Sequence, residues 1–163
     1  LQLSKTHAAK DAGVAPGGKC CPLLNELPET ALLVANEVIC SRYQDLRQNL
    51  AKWGLSNVVV TNADPQQLAP MGGSFDLPLV DAHWSGEGLF RKQPEAAVIW
   101  TSAQIQRCED RQRRIMSSAL PLLRPGGFLL CSTGTYNAQE NDGNVAWLVQ
   151  RGDYEVLTPE IPP

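Results

Sequence analysis

The chain has 163 residues, 43% hydrophobic and 19% charged, a length and balance that fit one globular domain with a sizeable core and leave too little chain for two. Its longest apolar stretches, such as 31–35 and 128–131, are strand-sized, far short of the ~20 residues of a membrane helix. The formal net charge of −3 argues against the broad positive field of an autonomous nucleic-acid binder, so any such contact has to be local.

In chain order, apolar runs of strand length alternate with segments of helical period, which predicts an α/β fold with a mostly parallel sheet and helices on both faces. A Gly-rich turn at 15–18 leads into a short helix, 31–37 (ALLVANE) reads as a strand, and 41–53 reads as a helix. In that helix Tyr43, Leu46, Leu50 and Trp53 share one stripe, and Gly54 stands where a left-handed cap belongs. The next strands are 57–61 (NVVVT) and 75–81 (FDLPLVD), followed by a long irregular segment and a helix from about Ser102 with Ile105, Cys108, Ile115 and Ala119 inward. The RPGG at 124–127 ends it, and GFLLCST (127–133) is a further buried strand. Asn137 and Glu140 have capping-box spacing for a helix carrying Val145, Leu148 and Val149, and 154–157 offers one more strand. Three places conflict with this scheme: the first strand is only weakly apolar, Pro78 removes a ladder donor, and Pro121 interrupts the long helix. They predict reduced stability or local rearrangement.

The opening LQLSKTHAAK has no Met and no secretory pattern, so the start reads as a cut, and the Pro-rich end reads as a truncation or a tether. Cysteines at 20, 21, 40, 108 and 131 form an odd set without CxxC spacing. That argues against a disulfide framework or a metal site and suits a reducing cytoplasm, with the thiols mostly as small buried hydrophobes. Arg91 with Lys92 and the run Arg107, Arg111, Arg113 and Arg114 are local cationic candidates, although a helix so charged is usually just a solvated face.

A Gly-rich turn between strand and helix lets backbone amides approach a ligand, and an acid ending the next strand can accept from a ribose diol. Here these are 15–19 (APGGK) and Glu37. Alone the pair is generic, since such turns are about as often purely structural. Asp64, just after the third strand, adds a carboxylate at the same sheet edge, where it could accept from an adenine amine. An adenosine-containing cofactor is the expected ligand.

The segments DAGVAPGGK, VANE, NAD, DAHWSGEGLFRKQPE, LRPGG, STGTY and QEN follow one another in the order and spacing of the RsmB/RsmF (Fmu/Sun) family of S-adenosylmethionine-dependent RNA cytosine carbon-5 methyltransferases. The chain resembles their catalytic domain over nearly its whole length. The resemblance implies a Rossmann-like class I methyltransferase fold over 1–163 as a single domain, and S-adenosylmethionine held by Gly13, Val14, Ala15, Pro16, Gly17, Gly18, Lys19, Glu37, Asp64 and Asp81. It also implies RNA, ribosomal by family, as partner, with Asp81 and Lys19 as the catalytic residues beside the target base. The family's extra RNA-binding domains are absent from this span. No membrane or metal enters the reading, and it sets no oligomeric state.

In the family, a Cys thiolate adds to carbon 6 of cytosine and makes carbon 5 nucleophilic, and a second Cys helps eliminate the product. The helper's DAPCSG motif reads DAHWSG here, with His83 at the Pro position and Trp84 at the Cys position. The nucleophile's STCT motif reads STGT, with Gly134 in its place, and the Cys of the family's DLCAAPGGK is Gly13. Cys131 lies three residues before Gly134 in a strand, an odd separation that sends it toward the core. Cys20 and Cys21 read as structural filler. Loss of a covalent nucleophile costs roughly 10⁶-fold in rate, on the order of 8 kcal/mol, so no cytosine carbon-5 methylation is expected. Two alternatives use the same residues: a non-catalytic S-adenosylmethionine- or RNA-binding domain with Trp84, Arg91 and Lys92 on the RNA, or an amino-group methyltransferase in which Trp84 stacks on a flipped base.

Overall fold

The computed structural model describes residues 19–54 and 56–158, together with the backbone of 8–12. The expected Gly-rich turn at 15–18 lies outside the described residues. The chain divides into two compact units, one of 2–82 with 115–132 and one of 83–114 with 133–163.

The first unit carries the sheet. Strands β1 (Ala8–Ala12), β2 (Leu32–Asn36), β3 (Val58–Thr61), β4 (Leu77–Asp81) and β5 (Leu130–Ser132) are all parallel, in the order β3-β2-β1-β4-β5. This is the Rossmann-like order expected, with the chain reversing direction of propagation between β1 and β4. β1 (AAKDA) is a central strand despite its weakly apolar composition, because backbone ladders to β2 and β4 fix it on both sides, Ala9 opposite Leu33 and Leu77. Context outweighs strand propensity there.

Helix α1 (Cys20–Glu26) and helix α2 (Cys40–Trp53) cover one face. Cys20, Leu23, Leu24 and Leu27 pack with Leu46 and Leu50 of α2 against Leu33 and Ala35 of β2 and Leu77 and Leu79 of β4. Val34, one residue out of step with Leu33, turns to the opposite face and meets Leu68, Phe75 and Leu122. Alternation with both faces covered explains why β2 reads as an unbroken apolar run. Gly54 adopts φ 76° as the left-handed cap of α2. Only Leu46 and Leu50 of the expected stripe are buried, while Tyr43 is partly exposed and Trp53 is exposed.

Pro78 is fully buried inside β4. The pairing with β5 begins at Leu79, one residue later, so on that side the ladder starts beyond the missing donor. Pro121 acts as anticipated: the long helix α4 (Ser102–Ala119) stops and a 3-10 turn, Leu120–Leu122, carries the proline near its start.

Several expectations need correction. GFLLCST is not a buried strand: only Leu130–Ser132 pairs, at the sheet edge, and Leu130 and Cys131 are exposed. Cys131 therefore does not sit in the core, although its Sγ lies 3.6 Å from Sδ of the buried Met116. Residues 154–157 form no strand. Of the cysteines only Cys20 and Cys108 are buried, Cys21 is intermediate, and Cys40 and Cys131 are exposed. On α4 the buried positions are Ile105, Cys108, Glu109, Gln112, Met116 and Ala119, with Ile115 only partly buried. Ile105, Cys108 and Ala119 face inward as expected, while Glu109 and Gln112 escape an apolar-only search because they are polar.

The second unit is not one long irregular segment before α4. It contains a 3-10 turn at Glu87–Leu89, a short helix α3 (Glu95–Ile99) and, near the end, helix α5 (Asp142–Val149). Its interior is polar. Glu140 accepts hydrogen bonds from the Ser85 amide (3.1 Å) and from Gln112 Nε2 (2.8 Å), and Gln112 Oε1 accepts from Asn144 Nδ2 (2.7 Å). That commitment explains why no capping box forms. Asn137 Oδ1 instead accepts from the Gln139 amide, Asn141 stands at the start of α5 without a side-chain cap, and Val145 and Val149 are exposed.

Candidate functional site

In a parallel sheet the carboxyl ends of all strands share one edge, and ligands bind outside it where the strand order reverses. Asp81 ends β4, Glu37 follows β2 directly, and Asp64 comes three residues after β3. The three predicted carboxylates thus stand at one edge of the first unit, along with Lys19, the residue before α1. Gly13, Val14, Ala15, Pro16, Gly17 and Gly18, the other predicted cofactor contacts, lie outside the described residues.

Glu37 is the clearest of these. Its side chain is 4% exposed, and Oε1 accepts from the Ile39 amide at 2.9 Å. Oε2 is buried and accepts no hydrogen bond among the described residues, and its ion-pair partner there is Arg42 Nε at 3.5 Å. A buried acceptor left unsatisfied costs about 1–3 kcal/mol, and a diol hydroxyl is the kind of donor that would relieve it. The residues present therefore fit a ribose. Asp64 differs: it is exposed and N-caps the 3-10 helix Pro65–Met71, with Oδ1 accepting from the Gln66 amide at 3.0 Å while Gln67 returns a bond to the Asp64 amide. The capping box fixes the carboxylate's position at the edge. Asp81 forms an ion pair with Lys19, the former 21% and the latter 41% exposed.

Asn36 was not foreseen as part of this edge. It is 1% exposed; its Nδ2 donates to the Ala63 carbonyl at 3.0 Å, and its Oδ1 accepts from the Ala63 amide at 3.1 Å and Thr61 Oγ1 at 2.8 Å. Asn62 donates to the carbonyls of Glu37 and Val38. Together they tie the loop carrying Asp64 to the loop carrying Glu37. The available signal was an Asn closing an otherwise apolar strand, a position that demands partners.

The second unit holds the two positions where the expected thiols are missing. Trp84 is half-buried, and its indole lies flat on the backbone of Gly134: a Cβ placed there would come within 2.5, 2.6 and 2.8 Å of Cε2, Cζ2 and Nε1. A Cβ on Gly88 would collide with the Gly134 carbonyl oxygen and lie 3.3 Å from Trp84 Cη2. Gly134 thus makes room for the ring, and Gly88 for the Gly134 carbonyl. His83 is exposed, and its carbonyl accepts from Gln112 Nε2 at 3.0 Å. Three of the remaining thiols are held toward the protonated state. Burial pushes Cys21 and Cys108 up, the latter also through the nearby Glu140 carboxylate, and burial pushes Cys131 up to about 11.

The family model for the 16S rRNA methyltransferase RsmB/F matches residues 1–161. The chain belongs to the RsmB/F family. It is 37% identical over 142 residues to ribosomal RNA small subunit methyltransferase F of Enterobacter sp. (strain 638), which covers 86% of this chain and 30% of that protein. The chain thus spans less than a third of the length of the curated relatives it matches. Among solved structures, NSun6 from Pyrococcus horikoshii, crystallised with the S-adenosylmethionine analogue SFG, superposes with a TM-score of 0.79 at 28% identity over 91% of this chain and 38% of its own. A methyltransferase homologue from the same organism gives a TM-score of 0.82 at 27% identity, covering 99% of this chain and 50% of that one. The fold is that of the Rossmann-like S-adenosylmethionine methyltransferases.

Proposed function

We propose that residues 1–163 are a methyltransferase domain that binds S-adenosylmethionine at the sheet edge and has lost the covalent route to carbon-5 methylation of RNA. Glu37 would accept from the ribose diol, the exposed Asp64 carboxylate from the adenine amine, and residues 13–19 would approach the amino-acid end. Bound there, S-adenosylmethionine supplies an electrophilic methyl group. Lys19 and Asp81 would position the target base, their mutual ion pair keeping both side chains oriented until a substrate competes for them. The partner is RNA, ribosomal by family, in the cytoplasm.

One observation carries the loss of covalent chemistry: the Trp84 indole occupies the volume that any side chain at 134 requires. Neither motif position supplies a thiol, and the protonated state of the other thiols is favoured where a shift is resolved. Without addition at carbon 6, carbon 5 stays a poor nucleophile, and positioning alone leaves most of the roughly 10⁶-fold deficit in place.

Calorimetric titration of the folded chain with S-adenosylmethionine tests the binding reading: saturable heat is expected, and its absence overturns it. Mass analysis of nucleosides from RNA incubated with protein and cofactor tests the rest. No 5-methylcytosine is expected. Formation of that product refutes the argument about thiols, and methyl on an exocyclic nitrogen would move the assignment to an amino methyltransferase.

A further inference from the structure

A cavity of about 450 Å³ opens in the second unit, lined by Glu87, Gly88, Phe90, Arg91, Lys92 and Tyr136, a size within the ~300–1,000 Å³ of small-ligand sites. Tyr136 is 86% exposed, yet it sits on a pinned segment. Its neighbours on both sides bond to one carboxylate: Thr135 Oγ1 donates to Glu87 Oε2 at 2.9 Å and Asn137 Nδ2 to Glu87 Oε1 at 3.3 Å. Asn141 Nδ2 donates to the Thr135 carbonyl at 3.0 Å, and the Asn137 amide to Thr135 Oγ1 at 3.1 Å. An aromatic ring in water on a braced loop is a platform whose ordering cost is already met by the fold. The opposite wall is braced too, since Phe90 packs edge-on against Trp100 with ring centroids 6.2 Å apart. Arg91 and Lys92 are exposed and adjacent, two cations at the rim of a chain whose net charge is negative.

A flat apolar face beside two cations matches a base with its flanking phosphates. We propose that this pocket takes one unpaired nucleotide of a single-stranded RNA, with the base stacked on Tyr136 and the phosphates on either side held by Arg91 and Lys92. Glu87 cannot neighbour a phosphate favourably, so the sugar-phosphate backbone runs along the Arg91 and Lys92 rim and the base turns inward. A duplex cannot use the site, because its bases are already stacked on each other. The proposal rests on the RNA reading above and adds the residues that grip the strand outside the cofactor edge.

The test is fluorescence anisotropy of a labelled, unstructured 12-nucleotide RNA with the full chain at several salt concentrations, with and without S-adenosylmethionine. Tyr136→Ala is expected to weaken binding about 5- to 100-fold and Tyr136→Phe by no more than about twofold, because stacking and not the hydroxyl is used. Arg91→Gln with Lys92→Gln should flatten the slope of log affinity against log salt by about 1.4, two contacts at ~0.7 each. Full affinity in Tyr136→Ala, or equal affinity for a hairpin duplex, overturns the proposal. RNA binding that ignores all these variants while the cofactor titration succeeds sinks the subsite alone; failure of that titration with RNA binding intact sinks the cofactor reading alone. Because Tyr136 is so exposed, the Ala variant should melt within about 1 °C of the parent, which excludes unfolding as the cause.

Discussion

Restoring a cysteine at position 134 should fail by itself and succeed only when Trp84 is removed too. The Cβ of Gly134→Cys would stand 2.5–2.8 Å from three atoms of the indole, about 1 Å inside ordinary contact. Overpacking of that kind costs about 1–3 kcal/mol. Trp84→Cys leaves the ring's space empty; full burial would make the cost ~3–5 kcal/mol, and a half-buried ring about half of that. In the double variant the clash is gone and the new side chain fills part of the space, so the sum of the single costs should exceed the double cost by about 1–3 kcal/mol. Urea denaturation of all four proteins measures this coupling directly, and additivity within ~0.5 kcal/mol would show that the two sites are independent. The chemical readout runs in parallel. 5-Methylcytosine should form only in the double variant, because the helper thiol and the nucleophile are both required. Methylation by Gly134→Cys alone, at a rate near that of the double variant, would refute both the steric and the chemical argument.

Three further outcomes follow from single residues. Glu37→Gln exchanges a buried anionic acceptor for an amide and should weaken S-adenosylmethionine binding about 10- to 100-fold by calorimetry, from the ~1.5–3 kcal/mol of a charge-assisted hydrogen bond; unchanged affinity would remove Glu37 from the site. Cys131 is exposed as a residue at the sheet edge, but its thiol, set against Sδ of the buried Met116, is pushed up by desolvation from 9.0 to about 11 and should at pH 8 react with iodoacetamide about 100-fold more slowly than an unperturbed thiol. Because the folded value is raised, the linked stabilisation is complete below pH 9 and disappears as pH rises through about 11, an alkaline loss that Cys131→Ala should lessen in melts across that range. Glu140→Ala strands the buried Ser85 amide and Gln112 Nε2 and should destabilise by at least ~2 kcal/mol in urea, and a cost below ~0.5 kcal/mol would mean water replaces the carboxylate.

The order of elements and the parallel sheet were legible in the sequence because each depends on a signal spread over many residues, such as the unbroken apolar run of β2 and the stripe and glycine cap of α2. The misses have local causes. β5 reads as a buried strand because Phe128, Leu129 and Leu130 are apolar, but a strand pairing on one side only leaves Leu130 and Phe128 exposed. Asn137 and Glu140 have the spacing of a capping box, and spacing alone cannot reveal that Glu140 is drawn inward by Ser85 and Gln112, residues 55 and 28 positions away. Glu109 and Gln112 in the inner stripe of α4 escape an apolar search for the same reason, since they are buried by partners and not by hydrophobicity, whereas Ile105, Cys108 and Ala119 are found by it.

The candidate site divides along the same line. Glu37, Asp64, Asp81 and Lys19 could be found because each is a polar residue at the end of a predicted element, where the chain alone fixes the edge it belongs to. What the chain could not supply is the relation between two losses 50 positions apart. Read singly, Trp84 and Gly134 are two missing thiols, and either might be reversed without regard to the other. In the fold the glycine is the space into which the tryptophan fits. A return to covalent catalysis therefore has to pass through a strained or a cavity-bearing single variant.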